Sequence, residues 1–82
     1  MTAQKITNKE ILDNLKKGIS NRSIYRIKQY NDKLTIYYDV RGQGCLIADN
    51  INEYMHLNYP EQDYSISIPH ILKNYRVEVN LS

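Results

Sequence analysis

The chain has 82 residues, 41% of them hydrophobic, which suits one domain over residues 1–82 and excludes a deep substrate pocket, because a domain of this length hides only about 60% of the surface its unfolded chain exposes. Eleven Lys and Arg against nine Asp and Glu leave a net charge of +2, which excludes an acidic nucleic-acid mimic and falls far short of the positive field of a chain that neutralises many phosphates. The single Cys45 excludes an internal disulfide and, with only His56 and His70 beside it, a zinc quartet.

Residues 7–18, TNKEILDNLKKG, read as a helix. Thr7 and Glu10 have the spacing of a capping box. Gly18 stands where a left-handed stop is expected. Ile11, Leu12 and Leu15, extended by Ile19, form one narrow apolar stripe, and Asp13 stands four residues before Lys17, a spacing that favours an ion pair.

Residues 22–41 read as a β-hairpin about Asn31-Asp32. A two-residue loop pairs Tyr30 with Lys33, Gln29 with Leu34, Lys28 with Thr35, Ile27 with Ile36, Arg26 with Tyr37 and Tyr25 with Tyr38. This register puts Ile27, Ile36, Tyr25, Tyr38, Leu34 and Val40 on one face and Arg26, Lys28, Tyr37, Thr35 and Asp39 on the other. A slip of one residue would carry charges to the buried face.

Gly42 and Gly44 flank Gln43 in the stretch that follows. A turn there brings Cys45 opposite Val40 and Ile47 opposite Tyr38, making a third strand of a meander with Cys45 inward. Asp49 or Asn50 then caps a second helix through Ile51, Tyr54 and Met55. Two alternating segments, 64–68 and 75–81, read as a C-terminal pair of strands, joined by Pro-His-Ile-Leu-Lys-Asn with a single helical turn. The expected class is α+β, a small antiparallel sheet (meander plus C-terminal hairpin) with two helices on one face, in the order αβββαββ.

Gly-Gln-Gly lacks the lysine, the hydroxyl and the longer glycine-spaced turn of a phosphate loop. Cys45 with His56 or His70 as base and Asp49 as orienter is a conceivable nucleophilic set, but an inward cysteine is a core residue. Asp39, Asp49, Glu53, Glu61, Asp63 and Glu78 are dispersed and propose no acid/base pair. No catalytic residue, cofactor or metal is therefore expected, and the chain is read as non-enzymatic.

The surface with functional character is the outer face of the first hairpin, where Arg22, Arg26, Lys28, Tyr30, Tyr37 and Arg41 interleave cations with aromatic rings. Arg and Tyr are enriched at protein-interface anchors, and the chain carries eight tyrosines with no Trp or Phe. The expected role is binding to another protein, as an inhibitor or accessory factor acting on a host protein; the Ile-, Asn-, Tyr- and Lys-rich composition suggests an AT-rich phage or other mobile element. The alternative is a nucleic-acid-binding module, since bases stack on such rings and phosphates meet such cations. Homo-oligomerisation through a sheet edge is a further expectation. The longest aliphatic run, Cys-Leu-Ile-Ala, is far below the roughly 20 residues of a membrane span. No membrane partner and a reducing cytoplasm are expected.

Overall fold

A computed structural model describes residues 7–69 and 75–82. Along the chain lie α1 (Asn8–Gly18), β1 (Ile24–Tyr30), β2 (Lys33–Tyr38), α2 (Gln43–Asn58), β3 (Tyr64–Ser67) and β4 (Arg76–Leu81). The four strands form one antiparallel sheet in the order β1-β2-β4-β3. The α+β class is as expected. The order is αββαββ, because the expected third strand of the meander is helix. The expected turn after Pro69 falls on residues 70–74, outside the described residues.

The core is built by alternation. Leu34, Ile36 and Tyr38 of β2 and Val77, Val79 and Leu81 of β4 point to the same side of the sheet, and all are buried. Ile11, Leu12, Leu15 and Ile19 from α1 and Ile47, Ile51 and Met55 from α2 close over them. Thr7 caps α1, its hydroxyl accepting from the Glu10 amide at 3.2 Å. Asn8 donates from Nδ2 to Asp32 at the hairpin turn (3.1 Å), and Asn14 to the Tyr59 hydroxyl just past α2 (2.9 Å). The α1 helix is thus tied at its start to the hairpin turn and at its middle to the residue after α2. The expected Asp13–Lys17 pair does not form: among the described residues both ion pairs centre on Glu78.

Gly18 is not a left-handed stop. Among the described residues the positive-φ positions are Asn31 (52°), in the hairpin turn, and Gly42 (88°). Gly18 instead admits a neighbour, since a Cβ there would lie 2.5 Å from Cε2 and 2.7 Å from Cδ2 of Tyr54. The missing side chain lets α1 and α2 approach at this point.

The hairpin register holds from Tyr30↔Lys33 to Arg26↔Tyr37 and then shifts, with Ile24 rather than Tyr25 opposite Tyr38. Strict alternation would turn Tyr25 inward and Ile24 outward. The bulge exchanges them, so aliphatic Ile24 packs against the core while Tyr25 is 60% exposed.

The larger correction is the stretch after β2. Gly44, Ile47, Ala48, Ile51 and Met55 are the buried residues of α2, recurring at i, i+3, i+4, i+7 and i+11 and so forming one helical stripe. As a strand, Cys45 and Ile47 would bury alone; as a helix, Ile47 joins Ile51 and Met55 over the sheet. The place beside β2 belongs to β4, whose Val77, Val79 and Leu81 supply three buried side chains there. Asp49 and Asn50 therefore lie inside the helix, and Gly42 is its N-cap residue. A Cβ on Gly44 would run into the Tyr38 hydroxyl, so this glycine serves close helix-to-sheet packing. Cys45 is exposed and Val40 is 48% exposed; neither is a core residue.

Two substitutions check this packing. Gly18→Ala should lower stability in a denaturant melt by about 1 kcal/mol or more despite alanine's better helix propensity, and less so in a Tyr54→Ala background, where the ring is gone. Cys45 should react with a thiol reagent in the native state nearly as fast as in denaturant, and Cys45→Ser should leave the melt within about 0.5 kcal/mol.

Candidate binding face on the open sheet

Both helices cover one side of the sheet, and among the described residues no helix covers the other. Cross-strand pairing arranges that outer face in rows. Arg26, Tyr37 and Arg76 form one, Lys28, Thr35, Glu78 and Ser67 the next, and Tyr30, Lys33, Asn80 and Ser65 the third. Tyr37 stands between two arginines on neighbouring strands.

The surroundings of Tyr37 are aromatic and cationic. The Lys28 ammonium lies 5.9 Å from its ring centroid, and the Tyr25 ring, delivered by the bulge, is 6.3 Å away and tilted by 40°. Such contacts contribute roughly 0.5–1 kcal/mol each at exposed sites. They also hold long, flexible side chains in place.

Glu78 is the anion of this face. Lys33 Nζ lies 2.6 Å from Oε1 and Arg76 Nε 2.7 Å from Oε2, so each carboxylate oxygen has its own cationic donor. The Lys33 hydrogen bond is the main reason that Glu78 sits below the ordinary carboxylate value of 4.5; partial burial opposes the shift and the Arg76 hydrogen bond adds to it. Lys33 and Arg76 are engaged by this carboxylate, whereas among the described residues Arg26 and Lys28 have no carboxylate partner within ion-pair distance.

The six residues expected at the site divide into two groups. Arg26, Lys28, Tyr30 and Tyr37 share the outer face of β1 and β2, with Tyr30 76% exposed. Arg22 and Arg41 are exposed but lie in the turns flanking the hairpin, before β1 and before α2. These turns meet at one end of the sheet, where the Asp39 amide donates to the Ser23 carbonyl at 3.0 Å. Tyr25, Lys33, Arg76 and Glu78 were missed. The bulge hid the first, and the other three come together only through the pairing of β2 with β4, which no local pattern announces.

Among the described residues no three His, Cys, Asp or Glu side chains are grouped to hold a metal ion, and no helix is long and apolar enough to cross a membrane. No protein-family model, curated protein or solved structure matches the chain.

Glu78 has a depressed pKa in the folded chain, so its contribution to stability is present above its unfolded value and is lost as pH falls through the lower folded one. Denaturant melts of wild type and Glu78→Gln across about pH 6 to about pH 3 should therefore converge toward the acid end, the wild type losing more stability on the way down. Parallel curves would mean that the two cations do not favour the ionised form.

Proposed function

We infer that the chain is a protein-binding module whose contact surface is the open sheet face around Tyr37. The carrying observation is that ring itself, placed between Arg26 and Arg76 in the strand register with Lys28 and Tyr25 packed beside it. Tyr and Arg anchors on a rigid scaffold lose little side-chain freedom on docking, which leaves more of the contact energy for affinity. A small domain with one bare, pre-ordered face fits an inhibitor or accessory factor that occupies the surface of another protein.

Two features favour a protein over a nucleic acid. Phosphates approaching this face meet the Glu78 carboxylate in its middle row, and that carboxylate already engages two of the four cations. The Tyr37 ring has Lys28 over it and Tyr25 close by, so it offers a base less free stacking surface than an open ring would. The nucleic-acid reading draws its support from Arg26 and Lys28 with Tyr25 and Tyr30 nearby, and salt separates the two.

Affinity capture from the native host followed by binding isotherms tests this reading. Arg26→Ala and Tyr37→Ala should each weaken partner binding by more than about 1 kcal/mol with unchanged circular dichroism melts. Fluorescence anisotropy with single-stranded and duplex oligonucleotides should show no binding at about 50 mM salt; binding that weakens steeply as salt rises would transfer the face to nucleic acid.

A further inference from the structure

Among the described residues, the strand that carries Arg26 and Lys28 is also an open edge of the sheet. β1 is the longest strand, with seven residues, and among the described residues it pairs only with β2. The opposite edge, β3, has four residues and ends two short of Pro69. An edge of this kind presents unpaired backbone groups to any extended chain of suitable chemistry.

The ladder identifies those groups. Leu81 N–H donates to the Asp32 carbonyl at 2.8 Å and Tyr38 N–H to the Tyr75 carbonyl at 3.2 Å, so the even-numbered residues of β2 bond toward β4. The odd-numbered ones, Lys33, Thr35 and Tyr37, bond toward Tyr30, Lys28 and Arg26. The N–H and C=O groups of Ile27 and Gln29 therefore point out of the edge. Arg26 and Lys28 occupy the alternate positions, where the side chains of an incoming strand approach most closely.

We propose that this edge takes an extended acidic segment of the partner protein as a fifth strand, in the pattern acid-apolar-acid. The two carboxylates face Arg26 and Lys28, and the apolar residue between them falls on the helix side, beside the half-buried Ile27. A second copy of this chain is the weaker occupant in the register centred on Ile27, because antiparallel pairing of β1 with itself there sets Arg26 against Lys28 twice, and like charges directly opposite repel. The inference rests on the protein-binding reading and adds the partner's chemistry to it.

The test uses the full chain and a fluorescein-labelled peptide with a Glu-Val-Glu-Val-Glu centre, beside a peptide of equal composition with its glutamates clustered and a third with lysine for glutamate. The alternating acidic peptide should bind at least about tenfold tighter than the clustered one, a difference of about 1.4 kcal/mol. Bound, it should slow hydrogen exchange at the Ile27 and Gln29 amides. The double variant Arg26→Glu, Lys28→Glu should exchange the preference for the lysine peptide. Equal binding of the clustered peptide, unaltered exchange at those amides or no peptide binding would overturn the proposal. So would concentration-dependent protection of the same amides without peptide, which would make a second copy the occupant. Gln29→Pro removes an edge N–H while sparing the ladder. A captured partner lost with Tyr37→Ala but kept with Gln29→Pro would sink the edge inference and leave the protein-binding reading standing, whereas a chain that captures no protein would sink that reading.

Discussion

The backbone of β2 bonds on one side to β1 and on the other to β4, with Leu34 opposite Val79 and Ile36 opposite Val77. The pairing with β4 joins residues 39 (Tyr37↔Arg76) to 47 (Lys33↔Asn80) positions apart, and four side chains that are wholly buried meet along it. Remove that ladder and β1–β2 is a lone hairpin, marginal in water on its own, while α1 and α2 have no continuous apolar floor to cover. The same ladder sets the outer face, for Thr35 meets Glu78 and Tyr37 meets Arg76 because Ile36 meets Val77.

Core and candidate site are thus two sides of one register. A one-residue slip between β2 and β4 would send Val77 and Val79 to water and Arg76 and Glu78 inward. The burial of the core valines thereby fixes where the charges stand, and the ion pairs on Glu78 need contribute little stability to be well placed, in keeping with the modest strength of partly exposed pairs. Asn21 makes a comparable link at the sheet's end. Its Oδ1 accepts the Ser23 amide at 2.8 Å and its Nδ2 donates to Gln43 Oε1 at 3.2 Å, joining the entry to β1 with the first turn of α2.

What could be read without the structure follows the range of each interaction. The α1 helix and most of the hairpin were legible because capping and two-residue turns act between near neighbours, and five of the six expected hairpin pairs recur. Tyr25 escaped because a bulge is a local exception made for a distant reason, the burial of Ile24. The segment Gln43–Asn58 misled because Cys-Leu-Ile-Ala is too short to separate a strand from a buried helix turn, although the wider spacing of Gly44, Ile47, Ala48, Ile51 and Met55 held the helical answer. On the candidate face, Arg26, Lys28, Tyr30 and Tyr37 were visible from strand parity alone. Lys33, Arg76 and Glu78 had to wait for a pairing that skips α2 and β3.

The placement of α2 gives the single cysteine a practical meaning. Cys45 lies exposed in the first turn of a helix that packs on the far side of the sheet from Tyr37 and Arg26. A maleimide tether at this thiol would anchor the molecule by its back, leaving the tyrosine-bearing face turned toward solution. Lysine coupling offers no such control, since Lys28 and Lys33 belong to that face. A biosensor chip prepared through the thiol would thus display one uniform orientation of the molecule, with the face of interest unobstructed.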